Sequence, residues 1–312
     1  MRDVVICECF ARDGLQHESV VIKAEDKAAL IDSYASIGFE RVEATSYSNP
    51  VVVPQFADAS DVLRMLPRRP DVFYKATCAN LRAVERAVAD QEANFGVNEI
   101  SFLVSASESH SQKNLKRSRA DQWNNVSEMR ARAGAVFRIV GTISVAFGCP
   151  FEGEVDEDVV LRDVESFLRN GISLIALGDT TGMATPRTVA SLVGRISRAV
   201  PEACLIAHFH DSRGTGLVNC LAAYEAGVRY FDSSFGGVGG HPSQVQYGGG
   251  YTGNVCTEDL VNLFESLGVS TGIDLERVLD VAQQCEHALG RPLLGRVTRS
   301  GLNPLIASAE IA

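Results

Sequence analysis

The sequence predicts an α/β chain folded as a TIM (β/α)8 barrel with extra C-terminal helices. Three observations predict it. Short β-branched runs alternate with helical patterns eight times along the chain. Helix-stop glycines fall where such units would end. No GxGxxG follows the first strand, which disfavours an open dinucleotide-binding sheet. Regular β/α alternation implies parallel strands. Eight units in one chain favour closure, with an open doubly wound sheet as the alternative.

The expected strands are 3–9, 40–46, 71–77, 99–105, 136–146, 172–178, 204–210 and 230–234. The expected helices between them are 24–37, 51–66, 81–91, 107–133, 156–170, 186–200 and 214–226, each with apolar spacing near 3.6. Gly38, Gly171 and Gly227 follow the first, fifth and seventh helix, where a left-handed residue ends a helix at little steric cost. Thr185 and Pro186 read as an N-cap and a first helical residue. After strand eight, 257–267 and 275–289 read as two more helices. With no long linker or low-complexity stretch, 1–312 is expected to be one barrel domain, and about 256–290 its packed C-terminal addition.

A length of 312 residues suits this fold, since such barrels commonly run to ~250 residues or more as one unit. Apolar residues make up 46% and charged residues 22%, as expected for a large buried core. The net charge of −10 makes nucleic acid and anionic membrane poor partners, although a local basic patch can still hold a polyanion such as coenzyme A. Eight scattered cysteines without a CxxC pair argue for reduced, packed thiols rather than a disulfide framework or a cysteine zinc site. No secretory or Arg-rich leader and no long apolar run is evident, so a cytoplasmic protein is expected.

In such barrels the chemistry sits at the C-terminal ends of the strands. His208 and His210 are two apart on strand seven and so face the same way. Two imidazoles there can ligate one metal; the bland alternative is a hydrogen-bonded core pair. Asp13, at the mouth of strand one, is the natural carboxylate partner, because only strand eight separates strands one and seven. An amide oxygen from Asn254 would complete a mixed O/N site. That donor set suits Mg²⁺ or Mn²⁺ better than structural zinc. Arg12 can hold a substrate carboxylate or stabilise an oxyanion, or else form a surface ion pair. Glu43 can pair with Arg12 or support a metal ligand. Asp179 can orient, act as a base or meet a helix dipole. The glycine-rich run from Gly236 to Gly253 suits a mobile lid or a phosphate cradle.

The block from Ala11 through Arg12, Asp13, Gly14 and Leu15 to Gln16 resembles the RDGLQ signature of hydroxymethylglutaryl-CoA lyases, members of the DRE-TIM metallolyase superfamily. The segments 43–46, 148–153, 178–180, 208–211 and 252–254 resemble further family blocks in the same order. Ser107-Glu108 and Lys113-Asn114 resemble the family's SE…KKN stretch. The resemblance covers roughly residues 3–290. It implies that Asp13, His208, His210 and Asn254 bind the divalent cation. It implies that Arg12 steadies an enolate oxygen, with Glu43 and Asp179 beside it, and that Ser107, Lys113 and Asn114 meet the acyl-CoA. His208 and Asp179 are the candidates for moving protons, with Asp179 weighted at least equally because a metal-bound imidazole is a poor base.

The implied activity is retro-aldol cleavage of a 3-hydroxy-3-substituted acyl-CoA to an acyl-CoA and a keto acid. One departure stands out. The family's loop cysteine, which moves a proton, is replaced by His241, a residue type that also carries protons near neutral pH. Two other readings stay open: a CoA-independent aldolase, lyase or Claisen-type synthase acting on a 2-oxo or hydroxy acid, and a silent barrel used for assembly. The acidic surface and long C-terminal helices are compatible with a homodimer.

Overall fold

The protein is described by a computed structural model over residues 2–240 and 253–307. Strand β1 (Val5–Glu8) leads through a wide turn at Phe10–Gly14 to helix α1 (Ala24–Ser36). Next come β2 (Arg41–Ser46), α2 (Ala59–Met65), β3 (Phe73–Cys78), α3 (Leu81–Glu92) and β4 (Glu99–Ser105). A short α4 (Glu108–His110) and then α5 (Arg119–Ala133) precede β5 (Arg138–Ser144). The remaining barrel units are α6 (Glu157–Arg169), β6 (Leu174–Asp179), α7 (Pro186–Ala199), β7 (Cys204–Phe209), α8 (Gly216–Glu225) and β8 (Tyr230–Ser233).

All eight strands run parallel and in sequence order, and β8 closes on β1 with Val5 opposite Tyr230 and Glu8 opposite Ser233. Closure excludes the open-sheet alternative. Gly38, Gly171 and Gly227 adopt the expected positive φ, at 106°, 72° and 105°. Thr185 caps α7 reciprocally: its hydroxyl accepts from Thr188 N at 3.3 Å, and Thr188 Oγ1 accepts from Thr185 N at 2.9 Å.

Two helices differ from expectation. The pattern over 51–66 becomes α-helical only at Ala59, after a single 3-10 turn at Pro54–Phe56, because Pro54 donates no N–H and Val51 and Val52 are exposed at 89% and 74%. The helix expected over 107–133 breaks in two. Ser107 caps α4, the chain takes one wide turn at Ser111–Leu115, and Lys116 reverses it with φ 56°. Ser118 then caps α5, its hydroxyl accepting from Asp121 N at 3.1 Å.

Period-2 alternation sends every second strand residue into the barrel. On one side the interior is apolar, with Val140, Leu174, Ala176 and Ile206 packed together. On the other it is charged. Arg41 Nη2 donates to Glu99 Oε1 at 2.7 Å, Arg41 Nη1 lies 3.4 Å from Asp232 Oδ1, and Arg138 also pairs with Glu99. Buried charges persist here because each has a partner.

After β8 the chain forms α9 (Thr257–Ser266), α10 (Val278–Leu289), α11 (Val297–Ser300) and α12 (Pro304–Ala307). Helix α9 packs on α8, and α10 on α1 and α9. Among the described residues no helix is long and apolar enough to cross a membrane.

Glu8 ties the start of the barrel to this C-terminal layer. Its Oε1 accepts from Phe10 N at 2.8 Å and Phe235 N at 3.2 Å, and its Oε2 meets Thr257 Oγ1 at 2.6 Å. Burial pushes the carboxyl from 4.5 up to about 8, against the pull of those hydrogen bonds. The folded state therefore holds this proton more tightly than the unfolded chain does. The resulting stability is full below pH 4.5 and is lost as pH rises through about 8. Glu8→Gln, neutral at every pH with the same acceptor, should lose less stability between pH 5 and 9 than the parent does. Denaturant melts at both pH values check this; equal losses would remove Glu8 from the account.

Candidate metal centre and active site

The strand ends build the site from three places on the chain. The turn after β1 presents Arg12 and Asp13. The end of β7 presents His208, paired in register with Gly178 and Asp232, and then His210. The chain returns at Gly253, whose carbonyl accepts from Asp211 N at 2.7 Å, and a bridge sets Asn254 opposite His210. Gly239 leaves room for this approach, since a Cβ there would collide with Asn254 Nδ2.

Three donors converge. Asp13 Oδ2 lies 4.0 Å from His208 Nε2 and 3.8 Å from His210 Nε2, and atoms of all three fall within 4.8 Å of one another. Asn254 Nδ2 donates to Asp13 Oδ2 at 2.7 Å and to Val238 O at 3.1 Å. That leaves Asn254 Oδ1 buried with no partner among the described residues. An orphaned amide oxygen beside two imidazoles and a carboxylate is the donor set of a mixed O/N cation site. The residues present therefore fit a divalent metal.

Electrostatics agree. Burial alone would raise the Asp13 carboxyl. Arg12, the two histidines and the Asn254 amide outweigh it and hold the group below the usual carboxylate range. Burial lowers His210 to about 4, helped by the nearby His208, so its imidazole is neutral and ready to ligate. His208 is raised despite burial, because Asp232 and Asp13 favour its charged form. Its Nδ1 lies 3.3 Å from Asp232 Oδ2, which leaves Nε2 facing the other ligands. Asp232→Asn should thus lower divalent-metal affinity ~10–100-fold, the usual cost of losing a partner behind a ligand. A Mn²⁺ titration measures it; unchanged affinity would deny Asp232 that role.

Arg12 lies over the centre. Its Nη1 donates to Asp13 Oδ1 at 2.8 Å, while its buried Nε, 3.6 Å from Glu43 Oε1, has no hydrogen-bond partner among the described residues. Glu43 Oε1 accepts from Thr77 Oγ1 at 2.7 Å and sits 3.4 Å from Lys75 Nζ. These side chains line a cleft of about 920 Å³ that opens at the strand ends, with Lys113, Asn114, Lys116 and Arg117 at its rim.

Two expected site residues are not brought to the cleft wall. Asp179 neighbours inward-facing Gly178, and its two oxygens accept from Met183 N at 2.7 Å and Ala184 N at 3.1 Å. Burial raises it to about 6 against those amides. It closes β6 with its carboxylate turned onto the amides of the loop that follows rather than onto the cleft wall. Ser107 is also buried. Its hydroxyl accepts from His110 N at 3.2 Å and from Cys149 Sγ at 3.0 Å, so it caps α4. His241 lies outside the described residues. Sequence reasoning missed Asp232 and Lys75. A lysine inside an apolar strand was the available signal, since a buried lysine needs a partner.

A barrel with an open cation site and a guanidinium held over it is suited to stabilising the oxyanions formed when a carbon–carbon bond opens. The protein is accordingly a metal-dependent carbon–carbon lyase. More particularly, the chain belongs to the HMGL-like family, whose model matches residues 3–285. It is 36% identical over 296 residues to a hydroxymethylglutaryl-CoA lyase of Bacillus subtilis, covering 95% of this chain and 96% of that one. It is 35% identical over 314 residues to an (R)-citramalyl-CoA lyase of Chloroflexus aurantiacus, covering 96% of each. Among solved structures, an HMG-CoA lyase from Acenitobacter baumannii in complex with coenzyme A and 3-methylmalate superposes with a TM-score of 0.89 at 38% identity, over 96% of this chain and 95% of that one.

Proposed function

We propose that the protein cleaves a 3-hydroxy-3-substituted acyl-CoA by retro-aldol chemistry, yielding an acyl-CoA and a keto acid, with Mg²⁺ or Mn²⁺ held by Asp13, His208, His210 and Asn254. The observation that carries this reading is the convergence of three donors and one orphaned amide oxygen beside Arg12. A divalent cation, when bound, supplies Lewis acidity to the substrate's hydroxyl oxygen. The substrate's hydroxyl loses its proton to a base. The adjacent C–C bond breaks, its electron pair passing into the thioester enolate. Arg12, whose guanidinium stays charged beside Asp13 and Glu43, holds the enolate oxygen. A proton then returns to the enolate carbon.

Lys113 and Asn114, with Lys116 and Arg117, give the cleft a basic rim suited to coenzyme A phosphates. The coenzyme A bound in the Acenitobacter baumannii structure supports a ligand of this class. We assign Asp179 to positioning the loop after β6, and His241 to moving protons. His241→Ala should then lose more activity than Cys149→Ala, because Cys149 is buried against Ser107; equal activities would take His241 out of the chemistry. The proposal includes one catalytic unit over 1–312 and a cytoplasmic setting, which eight free thiols support. The test is release of an acyl-CoA from a panel of 3-hydroxy-3-substituted thioesters with Mg²⁺ or Mn²⁺. Turnover of at least one supports the reading, and turnover of none refutes it.

A further inference from the structure

The deep wall of the cleft differs in chemistry from its rim. On β3, β4 and β5 the side chains lining it are Lys75, Thr77, Ser101, Thr142 and Ser144, with Leu103 alone apolar. A ring of hydroxyls around an ammonium is costly to bury against methyl groups. Each polar group that loses water there must regain a partner or pay its desolvation.

Lys75 is the centre of this wall. It is 4% exposed and stands between Glu43, 3.4 Å from its Nζ, and Asp232, at 3.8 Å. Both distances exceed the ~2.7–2.9 Å of a charge-assisted hydrogen bond. The ammonium is neutralised by its neighbours without its N–H groups being committed to them. It has capacity for an oxygen arriving from the cleft. The two carboxylates also keep it charged, so it acts as a donor rather than as a nucleophile. Thr77 Oγ1 and Ser101 Oγ lie 3.0 Å apart and extend the polar surface onto β4. Thr142 and Ser144 continue it onto β5.

We propose that Lys75 and these hydroxyls form a specificity subsite for the second branch on the reacting carbon, the one other than the arm whose carboxyl becomes that of the keto acid, so that this branch carries a hydroxyl or carboxylate oxygen in place of a plain alkyl group. The inference rests on the acyl-CoA lyase reading and deepens it. A site built to hydrogen-bond an oxygen rejects the analogue that lacks it, because its own polar groups are left unpaired. A plain pocket gains only slightly from an added methyl.

The experiment compares kcat/KM for three thioesters that differ only in the 3-branch: methyl, hydroxymethyl and carboxymethyl. The parent protein should favour one of the two oxygenated branches over methyl by ~10-fold or more. Which of the two wins identifies the oxygen. Lys75→Met should abolish that preference, lowering the selectivity ratio by ~10-fold or more, while changing methyl-substrate turnover far less. Should Lys75→Met fail to fold, Thr142→Val and Ser144→Ala replace it, and each should shift the same selectivity ratio toward methyl. A parent enzyme that prefers methyl overturns the subsite and leaves the lyase reading intact. Equal losses on all three substrates in the variants would assign Lys75 to structure alone and also overturn it. No turnover of any thioester overturns both.

Discussion

Asp13→Ala is expected to abolish divalent-metal binding and to lower turnover by at least ~10³-fold, beyond the usual cost of one electrostatic donor. The size follows from how many groups this carboxylate serves. It faces both imidazoles, accepts from the Asn254 amide, and forms an ion pair with Arg12. Without it, His208 and Arg12 lose their nearest shared anion, and Asn254 loses the contact that orients its free oxygen. Asp13→Asn separates charge from shape, since it retains an acceptor oxygen of similar size. Both variants should fail a Mn²⁺ titration while keeping the parent's circular dichroism. A variant that still binds Mn²⁺ with parental affinity would place the cation elsewhere.

Arg12→Met should leave metal affinity within about a factor of ten while lowering kcat by ~10²–10³, the range for one donor aimed at a developing oxyanion. The two effects separate because Arg12 is not in the donor set, yet its Nε is buried without a hydrogen-bond partner. That N–H is available to an oxygen formed during the reaction. Arg12→Lys should rescue little, because an ammonium lacks the planar fork that meets Asp13 and Glu43 together. Single-turnover kinetics beside a metal titration test the separation. Parallel loss of both would make Arg12 a support for the cation instead.

The barrel was legible because its signal is repeated: strand, helix and glycine stop recur at regular intervals, and local errors do not change the count. The errors fell where one local rule hid another. A valine run masked the break at Pro54, and two serine caps lay inside one apolar pattern at Ser107 and Ser118. The convergence of the two imidazoles was legible for a geometric reason, since 208 and 210 share a face of one strand. The same parity explains where Asp179 lies. If His208 faces inward, its register partner Gly178 does too, so Asp179 must turn outward. Motif adjacency concealed that. Asp232 and Lys75 were hidden for the opposite reason. Each is the one charged residue of its strand, with no second charge beside it to suggest a site, and only closure brings β8 and β3 to the same interior.

The contact between Asn254 and Asp13 spans 241 positions of the chain. An ion bound there would work as a clasp, fastening the loop after β1 to the segment that follows β8 and making the two sides of the barrel's closing seam open or stay shut together. At a hundred times its dissociation constant such a clasp adds ~2.7 kcal/mol against unfolding. The ion's availability would then govern how long the protein resists proteases as well as how fast it turns over.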